Sequence, residues 1–564
     1  MTLKPFALRW LTAHETVRAI LPSWRALRVA MPEMFNTIGR HVVLFASIPR
    51  WTGATFFTFA AVVLGSLLWM CVCRYRIFRR QARMLRSVPD ERVNTIVAGF
   101  SKVIAVLRHP LEPSTVMLEA FCGFTELLSK EGIYKFWIGL QPFVVLHTAE
   151  MVEPLLTDPN NLTKTVEYHF LQPVLQEGLL TSSGRKWRER RKLITPAFHF
   201  RVLESSIDIF NKHAAIMVQK IMKRVHEPFI DIVPLLTMCS LDIICESAMG
   251  INLGAQDASE HHYIKNLHTL FRGCMDRLSR PWLWWNMVYL LSSRSREFKS
   301  SARDVNAFIK QVIRQRKKLL AQRRCSIKRD TTPKSTRPFL DLLLNHHLED
   351  SSFTEDDINE EVNTFMFAGH DTTAASTAYV LFLLGLDAEA QRKVHDELDA
   401  VFGRDTQRPV SREDIANMKY TECVIKESQR LYSTVPMFGR MLDEDLMIAH
   451  HTIPRGTTCI ILAQMVHRDQ KYYPNPEVFD PSRFLPENSK GRHPFAFVPF
   501  SAGPRNCLGQ KFAMMEEKVL LATVLRHFRV KSLFGRDKLI LVPQPIMHPR
   551  STKGGVHIKF IKKH

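Results

Sequence analysis

The sequence predicts a mainly α-helical protein with small β-sheets, preceded by a single transmembrane helix. Three observations lead to this fold class. An uncharged run over residues 54–73 matches the thickness of a bilayer. From about residue 90 onward the hydrophobic pattern is mostly helical, with short strand-like segments at 133–145 and 457–463. No internal repeat divides this C-terminal part, so residues 90–564 are predicted to form one domain.

The composition is that of a globular protein with a strong basic bias. Hydrophobic residues make up 46% and charged residues 23% of the 564, which is enough to bury a large core. Lys and Arg outnumber Asp and Glu by 77 to 55, and this indicates an anionic partner such as nucleic acid, an acidic membrane face or an acidic protein. No helix-turn-helix, RNA-binding or zinc pattern supports nucleic acid. The ten scattered cysteines lack the spacing of a disulfide framework, which favours a reducing compartment.

Residues 1–53 form a basic extension. In residues 1–50 only two acids, Glu15 and Glu33, stand against a series of arginines. These are Arg9, Arg18, Arg25, Arg28, Arg40 and Arg50. An arginine-rich, acid-poor start is typical of mitochondrial targeting segments. An untranslocated extension or a misassigned start fits the same residues, and the sequence does not decide between the three.

The uncharged run 54–73 is the predicted membrane anchor, since it is too long and too far from Met1 for an ordinary cleaved signal. The linker 74–89 that follows is rich in arginine and contains no acid before Asp90. The positive-inside rule therefore places the C-terminal bulk in the cytosol, with the arginines against anionic headgroups. In that placement the sequon at Asn161 would stay unglycosylated. The linker arginines are Arg74, Arg76, Arg79, Arg80, Arg83 and Arg86.

A ten-residue stretch near the C-terminal end carries the strongest chemical signal. It reads Phe-Ser-Ala-Gly-Pro-Arg-Asn-Cys-Leu-Gly and fits the pattern F-x-x-G-x-R-x-C-x-G. If Cys507 is a thiolate ligand to haem iron, Gly503 and Gly509 would allow a tight turn under a flat macrocycle. Arg505 would pair with a haem propionate, and Phe500 would keep water from the sulfur. A helical pattern follows, whose N-terminal N–H groups favour a thiolate. A lone cysteine would instead suggest a buried structural residue.

This stretch resembles the haem-binding loop of the cytochrome P450s, and the resemblance extends from about residue 90 to the end of the chain. It implies the P450 fold, with haem b held non-covalently apart from the bond between iron and the Cys507 thiolate. It also implies that O2 is consumed, and that electron donation from the sulfur favours cleavage of the O–O bond.

A second motif, Ala-Gly-His-Asp-Thr-Thr at 368–373, lies within a long helical pattern. Glycine inside a helix costs about 1 kcal/mol, and threonine can bond to helix carbonyls. The motif therefore predicts a locally widened helix with a groove. In P450s this groove faces the haem, and Asp371 and Thr372 would form an acid–alcohol relay that brings protons from solvent. Taken alone, the motif also fits a hydroxyl that bonds to its own helix.

Other basic residues resemble those that seat haem in P450s. Trp187 and Arg191 lie one helical turn apart, and the family uses this W-x-x-x-R pair to hold haem propionates. Arg440 resembles another propionate ligand. The cations around Arg191 form either a solvated basic helix or, by the resemblance, a cationic face for the acidic flavin domain of a reductase. They are Arg188, Arg190 and Lys192.

Glu427, Arg430 and Arg483 are expected to be structural. The first two have i, i+3 spacing on a predicted helix, which places them on one face. In P450s an arginine at the position of Arg483 joins such a pair in a buried network that stabilises the scaffold around the cysteine. Loss of one member would leave a buried charge unpaired.

Three segments indicate family four, whose members are typically ω-hydroxylases of fatty acids and related lipids. They are residues 195–200, 361–367 and 418–427. One position departs from the family pattern. Many family-four enzymes have a glutamate before Gly-His-Asp-Thr-Thr that can esterify the haem, and this chain has Ala368. Covalent attachment through this residue is therefore excluded, and the resemblance no longer implies strict terminal-carbon selectivity.

Together these features predict a haem-thiolate monooxygenase that inserts one oxygen atom from O2 into a lipophilic substrate. The substrate would be a fatty acid or related lipid, a xenobiotic or a hormone-like molecule. The resemblance implies NADPH electrons from NADPH-cytochrome P450 reductase, with cytochrome b5 as a further partner. It also implies the endoplasmic reticulum membrane, with the catalytic domain in the cytosol.

Three alternatives stay open. A P450-fold isomerase or dehydrase would keep the cysteine but would need neither external electrons nor a proton relay. A non-enzymatic haem sensor or binding protein would hold haem without turnover. A mitochondrial P450 would have the basic leader, although it should not retain a charge-free membrane span.

Overall fold

The computed structural model describes residues 53–89, 112–128, 130–198, 203–258, 261–284, 286–326, 338–551 and 554–563. The predicted extension 1–53, apart from its last residue, and the start of the predicted domain at residue 90 lie outside the described residues. The described chain is mainly helical with small sheets, and this confirms the predicted fold class.

The α-helices are α1 Gly53–Met84, α2 Pro113–Leu127, α3 Ala149–Thr157, α4 Gln172–Leu175, α5 Gly184–Ile194, α6 Ile207–Lys223, α7 Ile232–Ser247, α8 His262–Ser279, α9 Asn286–Leu291, α10 Ser293–Ser326, α11 Phe339–Glu349, α12 Glu355–Leu384, α13 Ala388–Phe402, α14 Arg412–Asn417, α15 Lys419–Leu431, α16 Ala463–Val466, α17 Pro486–Ser489 and α18 Gln510–His527. The strands are β1 Ile133–Ile138, β2 Gln141–Leu146, β3 Ile230–Asp231, β4 Phe438–Met441, β5 Leu446–Ile448, β6 His451–Ile453, β7 Thr458–Ile461, β8 Phe528–Ser532, β9 Leu539–Pro543, β10 Met547–Ser551 and β11 His557–Lys562.

The chain divides into two compact units. The first comprises Met1–Thr165, Arg280–Ser292 and Gly439–Ile461, and the second comprises Val166–Ser279, Ser293–Phe438 and Leu462–His564.

The first unit contains a four-stranded sheet in the order β1-β2-β7-β4. The predicted strand-like segment 133–145 forms the antiparallel pair β1 and β2, with Ile133 opposite Leu146. Gly139 makes the turn between them at φ +62°, a conformation that glycine adopts without a steric penalty. Strand β7 then runs parallel to β2, and every residue of β2 after the first is buried, as expected for an interior strand.

Helix α1 contains the predicted anchor and continues through most of the predicted basic linker. By length and composition it is the described helix that could cross a membrane. Apolar side chains in its middle, such as Leu68 and Trp69, are about two-thirds exposed at 68% and 66%. Its C-terminal end is fixed to the first unit, where Arg80 pairs with Asp445 at 2.8 Å. The exposed apolar segment of α1 and the segment that contacts the first unit therefore occupy different parts of the helix.

The sequon asparagine is buried in the first unit. Asn161 is 1% exposed, and its side-chain amide donates to Asp158 at 2.6 Å. Its side-chain oxygen accepts from the backbone N–H groups of Asp443 and Glu444 at 2.7 and 3.0 Å. These bonds make the side chain unavailable to a glycosyl donor in the folded protein. An absent glycan therefore says nothing about membrane topology.

Helix α12 is the core of the second unit and packs against α7, α15 and α18. It begins at a capping box, in which the Thr354 hydroxyl accepts from the Asp357 N–H and the Asp357 carboxylate accepts from the Thr354 N–H. From Glu361 to Leu384 every residue is buried except Ala368, Gly369 and Thr372. The helix stays α-helical throughout, so the predicted widening does not interrupt its hydrogen-bond ladder.

Gly369 lets α7 approach α12 closely. A Cβ atom at this position would lie 2.6 Å from Cδ1 and 2.7 Å from Cγ1 of Ile244. Such distances are well inside van der Waals contact, so a side chain here would push the two helices apart. The glycine predicted to open a groove therefore also has a packing role.

The Glu427 carboxylate is the centre of a fully buried ion network. Arg430 donates two hydrogen bonds to it at 2.7 and 2.8 Å, and both side chains are 0% exposed. Arg483 approaches the same carboxylate at 3.6 Å, and the N–H of Asp480 donates to it at 2.9 Å. Arg430 also donates to the carbonyl groups of His467 and Val478 at 3.0 and 3.1 Å. The network thus ties α15 to the segment that precedes the cysteine loop, in the arrangement that the resemblance implies.

We predict that Gly369→Ala destabilises the protein by about 1–3 kcal/mol, because overpacking against Ile244 outweighs the better helix propensity of alanine. The change is measured as a shift in the urea unfolding midpoint. Gly123→Ala is the matched control, because no atom lies within 4 Å of a Cβ added at that glycine in α2. The double variant Gly369→Ala/Ile244→Ala should lose less than the sum of the single changes. An unfolding midpoint for Gly369→Ala equal to that of the wild type would contradict the packing role.

We predict that Arg430→Met destabilises the protein by about 3–5 kcal/mol, because it leaves the buried Glu427 carboxylate without its main partner. Glu427→Gln/Arg430→Met should recover part of that loss in a double-mutant cycle, since it removes both charges. Arg392→Met is the control, because this arginine makes a 2.8 Å pair at the same spacing with Glu389 while both are exposed. Equal effects at the buried and exposed pairs would show that burial does not set the strength of the network.

Candidate functional site

The loop that carries Cys507 is a tight turn of defined backbone geometry. The N–H of Cys507 donates to the carbonyl of Phe500 at 2.8 Å and closes the loop. Ser501 and Gly503 have φ values of +56° and +69°, so the turn needs the left-handed region twice. Gly509 has φ −84°, which any residue adopts. The left-handed backbone thus favours glycine at Gly503, and Ser501 adopts the same region. The backbone does not call for glycine at Gly509, whose place beneath a macrocycle stays a prediction.

The Cys507 sulfur is open on one side and electrostatically supported on the other. Cys507 is exposed on the surface of its loop, although the surrounding protein still removes solvent from it. Burial raises the pKa of the thiol, while the N–H groups of Gly509 and Gln510 and the charge of Arg191 act to lower it. The N-terminus of α18 therefore acts in the predicted direction, but burial outweighs it in the free thiol. A coordinating metal cation deprotonates such a thiol outright.

Helix α5 holds the cysteine loop through Arg191. Its guanidinium donates to the backbone carbonyl of Asn506 at 2.8 Å and to the side-chain oxygen of the same residue at 2.5 Å. Burial lowers the pKa of Arg191, and the nearby Cys507 sulfur opposes this shift. The residue predicted to bind a propionate thus contacts the residue before the cysteine, and propionate binding stays a prediction.

Trp187 and Arg505 form a second contact between α5 and the loop. The Arg505 guanidinium lies over the Trp187 ring, 4.5 Å from its centroid, and donates to the carbonyl of Ser182. Both side chains are buried, at 9% and 6% exposure. A cation stacked on an aromatic face keeps its charge while it is fixed in place. The two residues could therefore present a fixed positive charge to an anionic group, as predicted.

The basic residues around Arg191 do not share one environment. Arg188 and Lys192 are exposed, as expected for a solvated basic face. Arg190 is buried, pairs with Asp357 and lies 4.2 Å from the centroid of the Phe353 ring. The interpretation of Arg190 as a solvated residue is wrong, because its side chain points back into α12 and its capping segment.

Arg440 belongs to the first unit, whereas the other predicted haem contacts belong to the second. It is 3% exposed in β4 and donates to the carbonyl of Gly439 at 2.9 Å. Its predicted role as a propionate ligand stays a prediction.

Ala368, Gly369 and Thr372 form the open face of α12. They are the only partly exposed residues between Glu361 and Leu384 of this described helix, and their spacing places them on one side. The Thr372 hydroxyl donates to the carbonyl of Ala368 at 2.8 Å, which is the bond to its own helix that the sequence allowed. A hydroxyl, a methyl group and bare backbone therefore face the open side. No carboxylate stands at position 368.

Asp371 adjoins the open face along the helix, but its side chain is buried in the protein. Its carboxylate lies 3.4 Å from Nε2 of His548, a contact that the sequence motifs did not reveal. Burial raises the pKa of Asp371, but the charges of His548, His370 and His268 outweigh it and hold that pKa well below its usual range. His548 lies in the β9–β10 hairpin far along the chain, and no spacing rule connects it to the motif. The Thr372 hydroxyl bonds to its own helix rather than to Asp371, and the relay role of the two residues stays a prediction.

These residues fit a haem better than a bare metal ion. The described residues contain no group of three or more His, Cys, Asp or Glu side chains able to hold an ion. Iron at Cys507 would therefore take its other ligands from a macrocycle. The open sulfur, the cations Arg191 and Arg505 close to it, and the open face of α12 match the needs of an anionic macrocycle with a ligand-binding side.

Comparison with known proteins identifies the family. Residues 121–554 match the sequence profile of the family described as "Cytochrome P450". The chain is 42% identical over 509 residues to "Cytochrome P450 4V2" of Rattus norvegicus, covering 89% of this chain and 94% of the relative. It is 41% identical to "Cytochrome P450 4V2" of Homo sapiens over 88% of this chain and 94% of the relative. It is also 41% identical to "Cytochrome P450 4c3" of Drosophila melanogaster over 88% and 93%. The open cysteine loop and these similarities together show that the chain belongs to family four of the cytochrome P450 monooxygenases.

Proposed function

We propose that this family-four P450 hydroxylates a fatty acid or related lipid, using NADPH electrons supplied by NADPH-cytochrome P450 reductase. The open Cys507 sulfur, in a loop held by two contacts from α5, is the observation that carries the proposal. The extended similarity to family four supports a lipid rather than a small polar substrate. A xenobiotic or hormone-like molecule would use the same site, and product analysis with a C12 fatty acid separates these cases.

Each group at the site has a physical task. The haem, when bound, supplies oxygen activation and C–H oxidation. Cys507 would provide its anionic ligand, and Arg191 keeps the loop in register through Asn506. Arg505, held against the Trp187 ring, would carry the positive charge that a propionate needs. Asp371 and the Thr372 hydroxyl would hold and pass protons beside the open face of α12.

Ala368 bears on both cofactor and selectivity. Its methyl group cannot form an ester, so the haem would be held without a covalent link to α12. We therefore expect hydroxylation at several carbons near the chain end rather than at the terminal carbon alone, to be read from the regioisomers formed from the C12 acid.

The exposed cations of α5 support the choice of an acidic redox partner. Arg188 and Lys192 flank Arg191, which contacts the cysteine loop directly. An open pocket of about 390 Å³ lies on the same loop and includes Phe500, Gln510 and the exposed Lys511 in its lining. Opposite charges steer an acidic flavin domain toward these exposed cations. Cytochrome b5 would use the same complementarity.

The membrane location follows from α1 and its flanking charge. We propose the endoplasmic reticulum, with the catalytic part in the cytosol, because arginines follow the apolar segment. Protease treatment of sealed microsomes tests this, since cytosolic placement leaves the C-terminal part accessible. Recovery of the protein in the mitochondrial fraction would favour the alternative that the basic N-terminus allows.

The haem ligand is tested by the reduced carbon monoxide difference spectrum. We predict a thiolate-type Soret band for the wild type and its complete loss in Cys507→Ala, since alanine offers no iron ligand. Cys423→Ala is the control, because this cysteine is also on the described chain but is 5% exposed within α15. Acid extraction should release all the haem, because Ala368 cannot bind it covalently. An unchanged Soret band in Cys507→Ala would overturn the assignment.

NADPH-driven product formation then separates the remaining classes. An isomerase or dehydrase would convert its substrate without NADPH, and a haem sensor would show the Soret band without turnover.

The proposed contact of Arg188 and Lys192 with the reductase is tested by reversing their charge. We predict that Arg188→Glu/Lys192→Glu raises the KM for the reductase by about tenfold or more at low ionic strength, because it replaces attraction by repulsion. The effect should shrink as salt is added. Lys310→Glu changes an exposed cation on α10 and serves as the control. Equal effects of the two variants on the KM for the reductase would show that α5 does not bind the reductase.

A further inference from the structure

The buried acid of α12 has one close partner of opposite charge. The Asp371 side chain is 4% exposed, and its Oδ2 lies 3.4 Å from Nε2 of His548. Neither atom has a hydrogen-bond partner among the residues that the structure describes. Both atoms thus have unused hydrogen-bonding capacity, in a place where a lone carboxylate would be costly.

The position of His548 is fixed by the fold. It lies in β10 opposite Val542 of β9. The preceding residue, Met547, accepts from the Tyr379 hydroxyl at 3.0 Å, and its N–H donates to the carbonyl of Thr434 at 2.7 Å. Tyr379 belongs to α12, as Asp371 does. The strand that carries the imidazole is therefore attached to the helix that carries the carboxylate.

A second histidine contacts this pair. The rings of His268 and His548 are 5.2 Å apart at 70°, an edge-to-face contact. His268 is partly exposed, the His548 side chain is 15% exposed and Asp371 is 4% exposed. Three titratable side chains thus follow one another from α8 through β10 to α12, and Asp371 at the end of the series is the buried one.

The other titratable groups of the cluster come from the same elements and from α7. His370 precedes Asp371 on α12, and its Nδ1 donates to the carbonyl of Met366 at 2.6 Å. The ring centroids of Tyr263 in α8 and His370 are 6.0 Å apart, and Cys245 of α7 interacts with Tyr263 electrostatically. Burial lowers the pKa of both His268 and His370. Burial also acts to lower the pKa of His548, but the charge of Asp371 outweighs it and raises that pKa.

We propose that His548 is the immediate proton carrier for Asp371, and that His268 is the next group toward solvent. The inference rests on the monooxygenase function and extends the acid–alcohol pair of α12 by a residue on a separate strand. His548 acts through Asp371 and touches neither substrate nor haem in this assignment, so it is a positioning and proton-supplying residue.

The proton transfer is balanced within the pair. The N–H bond at Nε2 of the His548 imidazolium breaks while an O–H bond forms at Oδ2 of Asp371, leaving a neutral imidazole and a neutral carboxylic acid. Asp371 then releases the same proton toward the open face, and His548 regains one from solvent past His268. No electron or further reactant takes part.

The stability of the pair depends on pH with a defined sign. Because the folded-state pKa of His548 is raised, its contribution is complete below the unfolded value of about 6.5 and is lost as pH rises through the folded pKa. Because the pKa of Asp371 is depressed, its contribution is complete above about 3.9 and is lost as pH falls through the folded pKa. The pair therefore stabilises most between these two limits.

The test compares the haem-loaded wild type with His548→Gln, Asp371→Asn and the double variant. With reductase, NADPH and a C12 fatty acid, the fraction of NADPH that ends as hydrogen peroxide reports failed proton delivery. In the wild type this fraction should rise as His548 loses its proton at alkaline pH. In His548→Gln it should be several-fold higher near neutral pH and no longer follow that ionisation. Asp371→Asn should mask any further effect of His548→Gln, because the histidine acts through the acid.

A second measurement is independent of turnover. The difference in Tm between wild type and His548→Gln should be largest near pH 5–6 and shrink as pH rises, as the sign of the histidine shift requires. His213→Gln is the matched control, because it breaks another buried histidine–carboxylate contact, 2.8 Å from Glu246. It should lower Tm without changing the pH dependence of peroxide release.

Three results would overturn the proposal. One is a peroxide fraction in His548→Gln that equals the wild type at every pH. Another is a raised fraction that keeps the wild-type pH dependence, since this is what a merely structural residue would give. The third is a Tm difference that does not vary with pH. If the wild type itself fails to consume NADPH, the electron source is wrong, and the Tm profile still decides the pairing of His548 with Asp371.

Discussion

The two hydrogen bonds from Arg191 to Asn506 are the constraint on which the candidate site depends, because they fix the loop while leaving its sulfur open. A metal ligand must be rigid, yet the face of the ligand atom that meets the metal must stay accessible. In this protein the rigidity comes from one side of the loop, where α5 supplies Arg191 and the Trp187 ring under Arg505. The left-handed backbone at Ser501 and Gly503 turns the chain sharply enough to keep both contacts. The other side of Cys507 is left to the ligand.

Helix α12 has two opposing requirements, because it is buried on almost every side but must present polar groups to a reaction. Three small residues open one face of the helix, while the side chain of Asp371 stays buried beside them. Close packing of Ile244 against Gly369 shows that the glycine of this motif is needed by the fold as well as by the open face. A substitution there would therefore change stability and access together.

The sequence predicted well those features that local pattern controls. The helical fold and the strand-like character of residues 133–145 follow from local periodicity, and the i, i+3 spacing of Glu427 and Arg430 places them on one helix face. It predicted poorly what depends on contacts between distant segments. The burial of Arg190 required knowledge that α5 meets the capping segment of α12. The burial of Asn161 required the return of β4 and the residues after it to the first unit.

The contact between Asp371 and His548 is the clearest example of a feature that depends on distant segments of the chain. The two residues are separated by most of the second unit's C-terminal half, and the histidine reaches the acid only because a hairpin, β9–β10, folds back onto α12. A motif can indicate that an acid matters. The identity of its counter-charge is a property of the tertiary structure, and it decides whether the acid is held as an anion or can exchange a proton.

The second unit buries carboxylates in three physically different ways, and the difference separates scaffold from chemistry. Glu427 meets guanidinium groups that stay protonated at any physiological pH, so its environment is fixed. Burial raises the pKa of Glu517 to about 8, and one of its oxygens accepts from the Gln429 side-chain amide at 3.4 Å. Asp371 alone among these three faces an imidazole, which unlike a guanidinium can lose its charge. A permanent counter-ion, or an acid kept mostly neutral by burial, suits a scaffold, whereas a titratable counter-ion lets a buried acid gain and lose a proton. This difference supports the proposal that Asp371 takes part in the reaction while Glu427 and Glu517 stabilise the framework.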